Sequence, residues 1–177
     1  MRKLAEKNVG RVIDLLNERL AFERTGVRLY DRMLLRMRLS GDREIKRTVD
    51  RMQRFRDEER EHEEWLEDQI RNLHGDDHMP TDKSVLVLTE TQGIERVVQR
   101  DPRLQHDFHA LLTAELADST GWDLLVRVAE EFGDREARRE FKQRHREELE
   151  HVLFVRKVVE RFVKRELQDG PLPVTYL

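Results

Sequence analysis

The chain has 177 residues and no cysteine, 40% of its residues are charged, 6% are aromatic, and its formal net charge is −3. Without cysteine it cannot form a disulfide, a thiolate zinc site, an iron–sulfur cluster or a cysteine nucleophile. Without a basic surplus it lacks the electrostatic signature of a nucleic-acid-binding protein, and its composition is typical of one domain built from long solvated helices.

Two long helices are predicted in the first part of the chain, where apolar residues recur at steps of three and four. We expect them over residues 8–39 and 42–73, separated by a break at Gly41. Asp42 follows the glycine and is a suitable N-cap for the second helix. Such a short break predicts an antiparallel helical hairpin.

A long connection over residues 75–100 follows the first hairpin. It contains Pro80, an apolar run at Val85–Leu88 and a predicted small helix at about residues 94–99. A compact domain seldom contains so long a link without a reason, and a crossover along a helix bundle is one such reason.

A second hairpin is predicted from helices over residues 102–132 and 134–167, separated by Gly133. Asp101-Pro102 resembles a helix start, with a capping aspartate before a proline at the first helical position. Residues 168–177 form a short tail. The expected fold is therefore all-α, a single-domain four-helix bundle of two antiparallel hairpins joined by a long crossover.

A carboxylate interrupts the apolar stripe near the middle of each predicted long helix. These residues are Glu23, Glu59, Glu115 and Glu148. An unpaired buried carboxylate is costly and tends to take up a proton or a cation. Four of them favour a shared cation site over a bundle whose polar core layers are paired with arginine.

The four helices place these polar residues at similar heights. Glu23 and Glu59 each lie 18 residues from the glycine of their turn, and so do Glu115 and His151. At 1.5 Å per residue, both hairpins bring their polar residues about 27 Å from the turn.

The chain contains two Glu-x-x-His sequences, Glu59/His62 and Glu148/His151, one in each hairpin. A spacing of three places both side chains on one helix face, where they can bind one ion. One Glu from each of two helices with Glu-x-x-His from the other two is the ligand set of di-iron and di-manganese bundles. Oxygen-rich ligation with some imidazole suits iron or manganese.

In this order, the motifs resemble the ferritin-like superfamily of di-iron carboxylate proteins, and most closely its rubrerythrin and bacterioferritin branches. The resemblance covers about residues 8–167. It implies a ferritin-like bundle holding two iron ions, with manganese or a mixed pair as alternatives, and with Glu59 and Glu148 bridging them. The remaining ligands implied are Glu23 and His62 for one metal, and Glu115 and His151 for the other.

Rubrerythrins also carry a carboxylate one turn after the helix-three Glu, where Asp118 stands, and a tyrosine where Tyr30 stands. The resemblance implies that Asp118 is a further ligand or a hydrogen-bond acceptor. It implies that Tyr30 donates to a ligand carboxylate, and a packed core tyrosine is the alternative. Arg60 replaces the haem-ligating methionine of bacterioferritins, so we expect no haem. The chain also lacks the cysteine-ligated rubredoxin domain, and its electron donor stays unidentified.

Other residues near the motifs are expected to have structural roles rather than to bind metal. Glu58 and Glu147 are expected on solvated helix faces, and Trp65 and Trp122 are expected in core or interface packing. Two apolar segments are candidate contacts between copies, Val85–Leu88 and the tail over 172–177.

The resemblance implies oxidation of Fe²⁺ with O₂ or peroxide, of ferroxidase or peroxidase type. A di-manganese catalase-like enzyme and a non-catalytic interaction or stress protein remain as alternatives. A charged opening segment and the absence of an apolar run near 20 residues favour a cytoplasmic protein without membrane contact. We expect no nucleic-acid partner, and a homo-oligomer such as a dimer.

Overall fold

The computed structural model describes residues 1–168, which contain α-helices and no β-strand. The helices are α1 (Arg2–Leu39), α2 (Arg43–Lys46), α3 (Val49–Asn72), α4 (Asp82–Arg100), α5 (Leu104–Glu131) and α6 (Arg135–Gln168). Within this part of the chain, none of the helices has both the length and the apolar character needed to cross a membrane. The predicted contact segment at 172–177 lies outside the described residues.

The four long helices α1, α3, α5 and α6 form two antiparallel hairpins, which confirms the predicted all-α bundle. In the first hairpin, Arg56 near the start of α3 bonds Asp31 late in α1 at 2.8 Å. Arg24, earlier in α1, bonds Glu67 later in α3 at 2.8 Å. Helix α5 pairs with α6 in the same way. Residues midway along the four helices therefore lie at one level.

The crossover is a complete helix, α4, rather than the predicted small helix at 94–99. It lies against α1 and α5. Its buried side chains, Ser84, Val87, Thr91 and Val98, share one face at helical spacing. The apolar run at 85–88 obscures this period in the sequence, because Val87 is buried whereas Val85, Leu86 and Leu88 are exposed. Helix α4 closes the side of the bundle next to α1.

The helix boundaries differ from the prediction where turn residues act in more than one way. Asp42 caps α2 as expected, accepting from the Glu44 N–H at 2.8 Å. A turn then separates α2 from α3. Helix α5 begins at Leu104 rather than residue 102, because Asp101 ends α4 and accepts from the Arg103 N–H at 3.0 Å.

Helix α1 begins at Arg2, six residues before the predicted start, and Asn8 interrupts it with non-helical backbone. The first turn of α1 is capped by a residue distant in sequence. Asp134 accepts from the Lys3 N–H at 2.9 Å and from the Ala137 N–H at 3.1 Å. One carboxylate thus supports the starts of both α1 and α6.

A polar layer at mid-height separates the two large clusters of the buried apolar core. One cluster includes Met33, Met37, Met52, Phe55 and Phe108. The other includes Leu16, Leu20, Leu66, Trp122 and Phe141. Burial of these large side chains supplies most of the driving force for folding, and it fixes the positions of the polar side chains between them.

Candidate metal centre

The polar layer is a single cluster that contains all six residues singled out by the two motifs. Each side chain is at most 3% exposed, so the cluster is sealed within the bundle. The members are Glu23 from α1, Glu59 and His62 from α3, Glu115 from α5, and Glu148 and His151 from α6.

Within the cluster, potential ligand atoms converge in overlapping groups whose atoms lie within 4.8 Å of one another. The first group is Glu59, Glu115, Glu148 and His151, and the second is Glu23, His62 and Glu148. A third group joins Asp118 to Glu23, Glu59 and Glu148. Glu148 belongs to all three groups, so this one carboxylate faces both histidines.

His151 directs its Nδ1 atom toward the carboxylates of the first group. This nitrogen lies 3.2 Å from Glu59 Oε1, 3.4 Å from Glu148 Oε2 and 3.5 Å from Glu115 Oε2. Three oxygens around one nitrogen exceed what a single N–H can serve, and their convergence is typical of ligands around a shared ion.

His62 occupies the matching position in the second group. Its Nδ1 atom lies 3.0 Å from Glu148 Oε1 and 3.4 Å from Glu23 Oε2. The nitrogen is buried and makes no hydrogen bond of acceptable geometry, despite these short distances. Both imidazoles therefore direct the same nitrogen inward.

The opposite nitrogen of each histidine contacts a glutamate on the other Glu-x-x-His helix. His151 Nε2 lies 2.8 Å from Glu58 Oε2, and His62 Nε2 lies 2.8 Å from Glu147 Oε2. These contacts correct the expectation that Glu58 and Glu147 belong to solvated faces. A carboxylate at Nε2 fixes the proton there and leaves the Nδ1 lone pair facing inward, as a metal-binding imidazole requires.

The sequence carried a signal for these two residues. Each stands directly before the glutamate of a Glu-x-x-His motif, so both helices read Glu-Glu-x-x-His. Because each lies four residues before the histidine of its own helix, helical spacing predicts contact within that helix. The structure instead shows an exchange between α3 and α6, which depends on how the two helices are rotated.

Two aromatic donors hold the carboxylates that come from α5 and α1. The Tyr30 hydroxyl donates to Glu115 Oε1 at 2.6 Å. Trp122 Nε1 donates to Glu23 Oε1 at 2.8 Å. Tyr30 thus lies where a donor was expected, whereas for Trp122 the sequence predicted packing alone.

Asp118 is paired with Arg19, a residue that sequence reasoning missed. The Arg19 guanidinium bonds the Asp118 carboxylate at 2.5 Å and its carbonyl at 3.1 Å, and both side chains are buried. A Cβ at Gly121 would lie 2.1 Å from the guanidinium carbon of Arg19, so only glycine leaves this space. Similarly, a Cβ at Gly26 would lie 2.3 Å from Glu59 Oε2.

The crowded charges shift the pKa values of the cluster. Burial, followed by the charges of Glu148 and Glu23, raises the pKa of Glu59 well above its usual value. Burial alone would lower the pKa of His62 and of His151, but the surrounding carboxylates raise both well above normal. Without a cation, the cluster therefore holds protons near neutral pH that a metal ion must displace.

The residues present fit a pair of divalent cations. Among residues 1–168, eight buried side-chain nitrogen or oxygen atoms lack a hydrogen-bond partner, and five belong to this cluster. These are Glu23 Oε2, His62 Nδ1, Glu115 Oε2 and both carboxylate oxygens of Glu148. Four carboxylates and two neutral imidazoles balance the charge of two M²⁺ ions, which explains how the burial is tolerated.

Comparison with known proteins points the same way. A family model described as Rubrerythrin matches residues 14–159, which is most of the chain and includes all six residues of the cluster. No curated protein and no solved structure matches the chain.

The outer carboxylates generate a first prediction. Replacement of Glu58 or Glu147 by glutamine should weaken Mn²⁺ binding by about 10- to 100-fold, because the acceptor at Nε2 loses its negative charge and the imidazole becomes a weaker ligand. Isothermal titration calorimetry measures the affinity. The matched controls are Glu61→Gln on α3 and Glu150→Gln on α6, which are exposed and contact neither histidine. Equal affinities for the test and control variants would contradict the assigned roles.

The raised pKa values generate a second prediction. Because Glu59, His62 and His151 retain protons in the metal-free protein, Mn²⁺ binding should release protons and strengthen as the pH rises from about 6 to 8. Titration in two buffers of different ionisation enthalpy counts the protons released. A pH-independent affinity with no proton release would show that the cluster does not bind the metal.

Proposed function

The chain belongs to the rubrerythrin family, and we propose that it binds two iron ions at mid-height in the bundle and oxidises Fe²⁺ with O₂ or peroxide. The proposed ligands are Glu23, Glu59, His62, Glu115, Glu148 and His151. Glu59 and Glu148 would bridge the two ions. Glu23 and His62 would complete the coordination of one ion, and Glu115 and His151 would complete that of the other.

The position of Glu148 is the observation that carries this proposal. Both of its carboxylate oxygens are buried without a hydrogen-bond partner. Oε1 lies 3.0 Å from His62 Nδ1, and Oε2 lies 3.4 Å from His151 Nδ1. One carboxylate that presents an oxygen to each of two imidazoles supports a role as a bridge between two cations.

The aromatic donors support single-oxygen binding by the two terminal carboxylates. Tyr30 occupies Oε1 of Glu115, and Trp122 occupies Oε1 of Glu23. The second oxygen of each carboxylate, Oε2, is buried without a partner. Each terminal glutamate therefore keeps one oxygen in a hydrogen bond and offers the other to an ion.

The buried pair next to the cluster supports its charge balance. Asp118 adds a fifth carboxylate beside the four proposed ligands, and the Arg19 guanidinium offsets that charge. The Asp118–Arg19 pair has no net charge, so it does not disturb the balance between two divalent ions and four ligand carboxylates. Low net charge makes the burial of so many ionic groups tolerable in a poorly polarisable interior.

A small cavity borders the cluster beside two of the proposed ligands. It has a volume of about 10 Å³, close to that of one enclosed water, and it borders Glu59, Glu115 and Asp118. The remaining wall consists of Phe22, Thr25, Gly26 and Ala114. A space of this size holds no more than one water-sized molecule, so larger substrates are excluded from this side of the cluster.

When bound, two Fe²⁺ ions would supply the two electrons that, with two protons, convert one H₂O₂ into two waters, and they would become Fe³⁺. The chain's residues hold the ligand atoms in place and exclude bulk water. The outward carboxylates of Glu58 and Glu147 keep the proton of each imidazole on Nε2. Metal binding therefore requires little rearrangement of the side chains, because each donor atom already faces inward.

The proposal is tested with Glu59→Gln, which preserves size but removes a bridging charge. Wild-type protein loaded with Fe²⁺ should consume H₂O₂ well above the rate of free Fe²⁺. The variant should lose about 100-fold or more, exceeding the effect expected of an outer carboxylate. Circular dichroism checks folding, and Glu150→Gln is the matched control. Equal rates of H₂O₂ consumption by wild type and Glu59→Gln would contradict the proposal. Evolution of O₂ from H₂O₂ by Mn-loaded protein would instead indicate a catalase-like activity.

A further inference from the structure

Helix α4 presents an exposed face that carries few charges. Over residues 84–94, Glu90 is the one charged residue, although 40% of the whole chain is charged. The buried side chains of α4 face α1 and α5. The opposite side is an exposed stripe at steps of three and four, called the α4 stripe, which consists of Leu86, Thr89, Glu90, Gly93, Arg96, Val97 and Arg100. A stripe with this spacing is typical of a helix that packs against another helix.

A groove between α4, α5 and α6 extends this surface. It has a volume of about 720 Å³, and its apolar side chains are Ile94, Val97, Ala110, Val159, Phe162 and Val163. Glu90, Gly93 and Val97 belong both to the wall of the groove and to the α4 stripe. A helix that lies on the stripe therefore also covers one edge of the groove. Contiguous exposed apolar surface is a common sign of a protein–protein contact.

Gly93 stands in the middle of the stripe without a reason inside the described part of the chain. Glycine disfavours a helix interior relative to alanine. A Cβ at Gly93 would meet no atom within 4 Å, so packing within residues 1–168 does not require glycine here. The missing side chain does allow a second helix to approach the α4 backbone closely, because the distance between packed helices depends on the side chains at their contact.

The charges on the stripe are arranged symmetrically about this glycine. Glu90 lies three residues before Gly93, and Arg96 lies three residues after it. Neither side chain has an ion-pair or hydrogen-bond partner among residues 1–168. When a second α4 is turned end for end about Gly93, its Arg96 reaches the level of Glu90 and its Glu90 reaches the level of Arg96. Opposite charges therefore meet twice between two identical helices, which is the complementarity that a two-fold interface requires.

We propose that two copies of this chain associate through their α4 helices, which pack antiparallel and cross at Gly93. In this arrangement Thr89 lies at the level of the partner's Val97. Leu86 lies opposite the partner's Arg100, whose aliphatic stem can cover it. Each partner helix also covers an edge of the other copy's groove. The interface lies on the side of α4 that faces away from the bundle, so it is independent of the proposed metal chemistry.

The charge pairs are tested by sedimentation velocity of the full chain between about 1 and 100 µM. Wild type should dimerise. Glu90→Arg or Arg96→Glu alone brings like charges together twice, and each should raise the dissociation constant by about 100-fold or more. The double variant Glu90→Arg/Arg96→Glu restores opposite pairs and should regain most of the wild-type affinity. Glu61→Arg on the exposed face of α3 is the matched control, and circular dichroism checks folding.

Three results in this series would overturn the interface. They are a wild type that stays monomeric over the whole concentration range, a Glu90→Arg variant that dimerises as wild type does, and a folded double variant that does not recover. The first result would leave the α4 stripe to a different partner, and the other two would place the contact between copies on a different surface.

The crossing point is tested with Gly93→Cys, since the chain contains no other cysteine. Two cysteines at the crossing of closely packed helices lie within the Cα separation of about 7 Å that a disulfide can bridge. Mild oxidation should therefore convert most of Gly93→Cys into a covalent dimer on a non-reducing gel. Gln99→Cys, exposed on α4 but outside the stripe, is the matched control and should remain largely unlinked. Equal cross-linking of the two variants, or none in Gly93→Cys, would show that the helices do not cross at Gly93.

Discussion

The burial of four carboxylates in the middle of an apolar bundle is the constraint around which the rest of the structure is organised. Each such charge is costly unless it is paired or binds a cation. The buried Arg19 does not neutralise these carboxylates, because its guanidinium is paired with Asp118. The two histidines can offset part of the charge when protonated, yet Glu148 keeps both oxygens without a hydrogen-bond partner. Divalent cations would provide partners for these atoms.

The surrounding residues repeat one device on each side of the cluster. An outer group holds one atom of a proposed ligand, and the other atom faces inward. Glu58 and Glu147 do this for the two imidazoles, while Tyr30 and Trp122 do it for the terminal carboxylates. Each of these four outer groups comes from a helix other than that of the residue it holds. Helix packing and ligand orientation are therefore linked, and the two apolar clusters keep both in place.

Much of the fold and of the cluster could be predicted from the sequence because helical periodicity is a local property. The steps of three and four, the two glycine turns and the Glu-x-x-His motifs suffice to bring six residues to one level. Contacts between helices depend on axial rotation, which periodicity does not determine. For that reason Glu58, Glu147 and Arg19 were assigned wrongly or missed. Helix α4 was underestimated because its exposed apolar run at 85–88 masks the buried stripe.

Anomalous diffraction at the iron edge, from crystals of protein loaded with Fe²⁺, tests the central claim most directly. We expect two iron peaks per chain inside the bundle, with Glu59 and Glu148 contacting both and one histidine contacting each. A chain that takes up no metal, a lone peak away from the polar layer, or peaks that these six side chains do not contact would contradict it.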